Sequence, residues 1–336
     1  MNFSEILNKV ITGDNLSFDE ARAAMENIMN GTLTPAQIAS LVTALRIKGE
    51  TKDEISGFVT AMKNGAIRLP QSFPNAVDTC GTGGDKLNTF NISTTAAIVA
   101  AGAGVIIAKH GNRSASSKSG SADVLEALGI NLNVTTETEL HALNEIGIAF
   151  LFARSHHPAL KHAGPTRKEI GIRTVFNLIG PMTNPAGAGH QLMGVFREAD
   201  ILKVANVLKK LGAKRAMVVS GHDRMDEISL SSPTDVAELK NGEIISYQIS
   251  PEEFGIESAS LETLKGGSPE DNAKIILEIL RGADGPKTDI VLLNAGAVIY
   301  LSGKADSIKS GIKMAKEAIS SGEAKKKLEQ LIKISN

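Results

Sequence analysis

Tryptophan is absent from the chain, tyrosine occurs twice and cysteine once, at Cys80. One thiol excludes an internal disulfide and any cysteine-based zinc site. So few aromatic rings leave little for single-stranded nucleic acid to stack on. Charge of one sign is lacking too: 36 Lys and Arg against 37 Asp and Glu give a formal net of −1, without the basic excess of a duplex-binding surface. The longest apolar stretch, Ala96 to Ala108, is broken by Gly102 and Gly104 and falls far short of the roughly 18 residues of a membrane helix, so no membrane or nucleic-acid partner is expected. The opening segment, Met1-Asn2-Phe3-Ser4-Glu5-Ile6-Leu7, has an early acid and no basic n-region; no targeting peptide is expected, and a cytoplasmic location is. The remaining composition, 42% hydrophobic and 22% charged over 336 residues, suits one large or two modest globular domains. Glycine is the excess, with 32 residues that cluster.

The first 72 residues read as a small helical domain. Ser17-Phe18-Asp19-Glu20, Thr34-Pro35-Ala36-Gln37 and Thr51-Lys52-Asp53-Glu54 fit the capping box, and behind each the apolar residues follow the 3.6 period. Gly31, Gly49 and Gly65 stand where these helices end. From 73 onward short apolar runs alternate with helical stretches. Strands are expected near 77–78, 105–107, 148–151, 191–195 and 217–219, with helices at 93–102, 121–128, 137–146 and 199–211, a β-hairpin over 235–248 and helices over 269–333. The fold class is therefore α/β: a small all-helical domain plus a larger domain with a mostly parallel central sheet. The Pro- and Gly-rich stretch 164–187 is expected to cross back and complete the helical domain, leaving 73–163 and 188–336 as the large one.

Four segments carry chemistry. Cys80-Gly81-Thr82-Gly83-Gly84-Asp85 follows a strand and precedes a helix; its glycines let backbone N–H groups converge in a nest suited to phosphate oxygens, although a tight turn explains them equally well. Asn91-Ile92-Ser93-Thr94 adds polar groups at the next helix start. Lys109-His110-Gly111-Asn112-Arg113 and the Ser-rich run to Ser121 read as a loop leaving a strand end, where parallel sheets place ligands; the alternative is a solvated loop. Asp226-Glu227 offers hard oxygens that suit Mg²⁺ beside a polyphosphate, or mere loop charges. His156, His157 and His162 lack the i, i+4 spacing of a helical zinc pair.

Together with Arg167 in its Pro-Thr-Arg-Lys setting, Gly171-Ile172-Arg173-Thr174 and Asn177 to Pro185, these segments resemble the anthranilate phosphoribosyltransferases, enzymes of tryptophan biosynthesis that join anthranilate to 5-phosphoribosyl 1-pyrophosphate. The resemblance spans nearly the whole chain. It implies a two-domain nucleoside phosphorylase/phosphoribosyltransferase-like fold, a homodimer through the helical domain, and two Mg²⁺ ions. It places Gly81, Gly84 and Asp85 at the junction of pyrophosphate and anthranilate, with Thr89 nearby, and Asn91, Ile92, Ser93, Thr94 and Lys109 on the donor's phosphates. Residues His110, Gly111, Asn112, Arg113, Ser114, Ala115, Ser116 and Ser117, with Ser121, would fold over the donor. Gly81, Asn112 and Arg167 would receive anthranilate, with His110 and His157 along its path. Ser93 and Glu227 would hold one ion, Asp226 and Glu227 the other, and no residue is assigned as a general base. Arg224-Met225 departs from the Gly-Leu or Gly-Met usual ahead of the acidic pair. The rival readings are a pyrimidine nucleoside phosphorylase and a non-catalytic nucleic-acid-binding relative of the same fold.

Overall fold

The computed structural model describes residues 2–114 and 118–336; the expectations for Ala115, Ser116 and Ser117 lie outside the described residues. Helices α1 (Phe3–Ile11), α2 (Phe18–Met29), α3 (Pro35–Lys48) and α4 (Lys52–Asn64) open the chain. The three expected capping boxes are all formed; at Ser17 the hydroxyl accepts the Glu20 N–H at 3.2 Å while the Glu20 carboxylate accepts the Ser17 N–H at 2.7 Å. α2 lies directly on α4 because Gly57 has no side chain: a Cβ there would strike the Phe18 carbonyl.

The large domain holds a seven-stranded sheet in the order β3-β2-β1-β4-β5-β6-β7. The strands are β1 (Val77–Gly81), β2 (Ile107–Gly111), β3 (Ile148–Phe152), β4 (His190–Gly194), β5 (Arg215–Gly221), β6 (Thr234–Lys240) and β7 (Glu243–Ile249). β1 to β5 pair in parallel, and β6 and β7 add an antiparallel edge. The hairpin turns at Asn241 and Gly242, φ 53° and 78°, the left-handed pair that an Asn-Gly turn favours. Between strands run α5 (Ile92–Gly102), α6 (Ser121–Ala127), α7 (Thr136–Glu145), α8 (Ala153–His156), α9 (Gly164–Ile170), α10 (Val175–Ile179) and α11 (Ile201–Lys210). Helices α12 (Pro269–Leu280), α13 (Pro286–Leu301), α14 (Ile308–Ser320) and α15 (Glu323–Ser335) close the chain.

Side chains alternate across the sheet, so Met217 and Val219 enter a core with α5 and α13, whereas Ala216 and Val218 enter a second core with α11 and the N-terminal helices. Val175, Phe176 and Ile179 of α10 bury in that second core. Two expectations are corrected. The strand expected at 105–107 lies at Ile107–Gly111, so Lys109, His110 and Gly111 are strand residues and not loop. The basic run Lys325-Lys326-Lys327, which the sequence marks as a solvated face more than a binding patch, is not wholly solvated either, because the Lys327 ammonium donates to the Ile146 carbonyl at 2.6 Å.

Candidate active site at the strand ends

The parallel order places the carboxyl ends of β1, β2, β4 and β5 along one edge. Chain connectivity reverses between β1 and β4, since β2 lies on one side of β1 and β4 on the other. A crevice opens outside the strand ends at such a switch point. Gly81 and Gly194 end the two strands, and a Cβ on either would collide with Asp226. Both glycines therefore make room for the loop that carries the acidic pair.

Beyond Gly81 the chain turns through Gly83 and Gly84, both left-handed at φ 65° and 80°. The Gly83 N–H donates to Asp226 Oδ2 at 2.6 Å. Across the crevice the first turn of α5 gives its Ser93 N–H to Glu227 Oε1 at 3.2 Å. The site thus has two backbone donor sets, the loop and a helix N-terminus, both turned to carboxylates. Asp85 leans on Asp226. Burial, then the Asp85 charge, pushes Asp226 up to about 7; burial, then Asp226, pushes Glu227 up to about 8. Burial likewise raises Asp85. A bound proton or a cation relieves such crowding.

Lys109 is 4% exposed and donates to the Thr79 carbonyl and, at 3.2 Å, to the Thr79 hydroxyl, with Ser93 Oγ at 3.5 Å. Burial lowers its pKa against the pull of Asp78 and Glu227. Two carboxylates and the Ser93 hydroxyl form a hard-oxygen set that fits Mg²⁺. No cluster of three or more His, Cys, Asp or Glu forms a ready metal cage among the described residues.

The remaining expected residues are placed as follows. The Asn91 side chain joins Ser119 (3.2 Å) and Asn272 (2.9 Å) and so ties the Ser-rich segment and α12 to the start of α5. Ile92 is core, and the Thr94 hydroxyl is buried with no partner among the described residues. Thr89 bridges Lys265. Gly111 ends β2, and a Cβ there would strike the Ser121 hydroxyl, which donates to the Asn112 carbonyl at 3.3 Å. Arg113 does not reach the nest: it pairs with Asp123 at 3.1 Å and Glu126 at 2.8 Å, and the Ser114 N–H donates to Asp123. These ties pin the described start of the loop to α6.

On the opposite wall His110 and His157 meet edge to face, ring centroids 5.3 Å apart. His157 Nε2 donates to the Thr183 carbonyl, 3.1 Å away, while His110 Nε2 and His157 Nδ1 have no partner among the described residues. Burial drives His110 well below its ordinary value and brings His157 to about 4, so both rings are neutral at pH 7. Arg167 stacks over Phe176, 5.0 Å to the centroid, and has no carboxylate partner among the described residues. Burial lowers its pKa. It is a sheltered guanidinium with no counter-ion among the described residues.

Sequence reasoning missed Asp78 and Thr79. Asp78, pushed up to about 6 by burial, accepts the His110 N–H at 3.0 Å, and Thr79 receives Lys109; both look like ordinary strand residues in the sequence. Arg224 adopts φ 70°, which explains why glycine suits that position, and Met225 anchors the loop in the core. A cleft of about 520 Å³ lies elsewhere, between α4, the end of α11 and Thr183 to Gly187, and contains none of the carboxylates above.

The family model "Glycosyl transferase family, a/b domain" matches residues 73–325, and "Glycosyl transferase family, helical bundle domain" matches residues 4–66. The chain is 52% identical over 330 residues to an anthranilate phosphoribosyltransferase of Chromobacterium violaceum, covering 98% of this chain and 96% of that one. The crystal structure of the anthranilate phosphoribosyltransferase from Thermus thermophilus superposes with a TM-score of 0.93 at 44% identity, covering 98% of both chains. The Saccharomyces cerevisiae enzyme in complex with PRPP and Mg gives 0.90 at 29% identity, covering 99% of this chain and 97% of that one.

Proposed function

Because the chain belongs to the anthranilate phosphoribosyltransferase family, we propose that the crevice at its strand ends is where anthranilate meets 5-phosphoribosyl 1-pyrophosphate. The enzyme transfers the 5-phosphoribosyl group to the amine of anthranilate, giving N-(5-phosphoribosyl)anthranilate and pyrophosphate, a step of tryptophan biosynthesis, and its metal is Mg²⁺. The observation that carries the site reading is the convergence of a glycine nest, a helix start, Lys109 and the Asp226–Glu227 pair on one crevice.

In this reading Gly81 to Asp85 and the α5 start hold the pyrophosphate through backbone N–H groups, with Lys109 adding charge. Ser93 with Glu227 would hold one Mg²⁺ and Asp226 with Glu227 a second; bound there, the metal neutralises charge on the leaving pyrophosphate. The bond from ribose carbon 1 to pyrophosphate breaks with its electron pair on oxygen, and carbon 1 gains oxocarbenium character. The anthranilate nitrogen donates its lone pair to carbon 1 and then loses a proton to solvent water. An aromatic amine is neutral at physiological pH, so the chemistry requires no strong base. The neutral His110 and His157 rings suit a wall for a planar acceptor, and Arg167 suits its carboxylate through a bidentate contact.

Two further parts of the proposal lie outside the crevice. A homodimer through the helical domain is supported by Ile11 and Ile47, 64% and 82% exposed on α1 and α3. A cytoplasmic location agrees with a lone free thiol. The test of function sets two substrate pairs against each other. Anthranilate with 5-phosphoribosyl 1-pyrophosphate and Mg²⁺ should give product and pyrophosphate in equal amounts, and thymidine with phosphate should give nothing; the reverse result would establish a nucleoside phosphorylase.

A further inference from the structure

We propose that Arg173 is a positioning residue for the pyrophosphate loop: it grips the outward carbonyls of that loop and so aims the opposing N–H groups at the donor. The inference rests on reading the glycine loop as the pyrophosphate site. The sequence motif that contains Arg173 has no role in the chemistry described above.

Arg173 arrives from the acceptor side of the crevice. α9 carries Arg167 and ends at Gly171, whose left-handed φ of 62° turns the chain toward the loop. Two residues on, the Arg173 guanidinium donates from Nη1 to the Gly83 carbonyl and from Nη2 to the Thr82 carbonyl at 3.3 Å. Its plane stacks on Phe196, just beyond β4, at 4.2 Å to the centroid. It forms no ion pair with a carboxylate among the described residues, so its fork of donors is committed to two successive peptide oxygens.

The consequence follows from peptide geometry. In a trans peptide the N–H points opposite to the C=O. With the Thr82 and Gly83 carbonyls fixed on the cation, the N–H groups of Gly83 and Gly84 are turned to the other side of the loop. There the Gly83 N–H meets Asp226, and the Gly84 N–H has no partner among the described residues. Glycine peptides flip easily, and a free loop would present these donors only part of the time. Holding the carbonyls removes the flipped states before the donor arrives, which is preorganisation. Gly84 supplies independent support: a Cβ there would run into the Arg173 guanidinium, so this glycine is needed for the grip as well as for its positive φ.

A residue that only stabilised the fold would lower the melting temperature and spoil both substrate constants together. A positioning residue should act selectively on the donor. The experiment measures kcat, both KM values and the melting temperature for wild type, Arg173→Ala, Arg173→Lys and Phe196→Leu, with and without millimolar guanidinium ion.

Arg173→Ala is expected to raise the KM for 5-phosphoribosyl 1-pyrophosphate about 10- to 100-fold, the loss of two charge-assisted bonds, and that for anthranilate less than about threefold. Guanidinium should recover part of the donor KM in Arg173→Ala and none in wild type. Arg173→Lys should fall between, and Phe196→Leu should raise the donor KM by about threefold through the lost stacking. An unchanged donor KM in Arg173→Ala, or an equal rise in both constants without response to guanidinium, overturns the proposal. If Arg173→Ala does not fold, Arg173→Lys and Phe196→Leu decide by the same split, and failure of all three to fold makes Arg173 a fold residue and overturns it too. Inactivity of wild type with anthranilate and donor would overturn the functional reading instead, so the two failures are separable.

Discussion

Replacing Arg167 by alanine removes a guanidinium that the fold shelters without using. It stacks on Phe176 and has no carboxylate partner among the described residues, and burial already disfavours its charge. Its loss forfeits a cation–π contact of about 0.5–2 kcal/mol but also relieves the desolvation of an uncompensated cation. The two effects oppose, so the melting temperature should move by only a few degrees. Binding should respond otherwise. A bidentate charged contact to the anthranilate carboxylate in a shielded site corresponds to about 2–4 kcal/mol, roughly 30- to 1,000-fold in affinity. Steady-state kinetics should show the KM for anthranilate rising by that factor, with that for the donor nearly unchanged. Arg167→Lys keeps the charge and loses the fork, so it should recover only part of the effect. If both constants rise together, or the donor's alone, Arg167 serves the phosphates and the acceptor pocket has been misplaced.

Three other perturbations test separate parts of the account. Asp226→Asn with Glu227→Gln should abolish Mg²⁺-dependent turnover while leaving the melting temperature equal to or above wild type, because it removes repulsion between buried carboxylates; full activity in the double variant would remove the metal assignment. Arg224→Gly should raise stability by about 0.5–1 kcal/mol in urea unfolding, since an exposed L-residue at φ 70° carries a left-handed penalty that glycine escapes; a loss of stability would show that the side chain matters. The third concerns His156, which bonds Glu139 at 3.0 Å; burial opposes its charge, yet that carboxylate and the Ile67 carbonyl hold its pKa above the ordinary value of 6.5. A raised histidine stabilises fully below the unfolded value and loses that contribution as pH rises through the folded one. The neighbouring His110 and His157 are depressed and act oppositely, favouring the fold above 6.5 and losing that as pH falls. Subtracting Glu139→Gln from wild type isolates His156: the difference in melting temperature should shrink from pH 6 to pH 9, and a constant difference would refute the pairing.

The parts legible in the sequence are those that local chemistry dictates. A hydroxyl followed three residues later by Glu or Gln marked the starts of α2, α3 and α4, and Asn241-Gly242 marked the hairpin. The glycine loop and the acidic pair stood out because their compositions are unusual. The edge of β2 did not, since Val105-Ile106-Ile107 is the more apolar run, whereas the true strand continues into Lys109 and His110. Those polar residues belong in a buried strand only because Thr79 and Asp78 lie alongside on β1 and receive them, a cross-strand fact without local trace. The pairing of Arg113 with Asp123 and Glu126 of α6, 10 and 13 positions on, was not legible either, because it depends on how the segment folds back onto that helix. The Arg173 grip joins residues 90 positions apart and could not be read from either end.

The central claim is that one crevice brings a metal-bound donor and anthranilate together, and the intrinsic fluorescence of anthranilate reports that event directly. In a mixture of enzyme, anthranilate, 5-phosphoribosyl 1-pyrophosphate and Mg²⁺ the signal should decay to completion, and it should hold steady when the donor, the metal or the enzyme is left out. Decay that persists under excess chelator would contradict the metal's place in the account. A steady signal in the complete mixture would contradict the account as a whole.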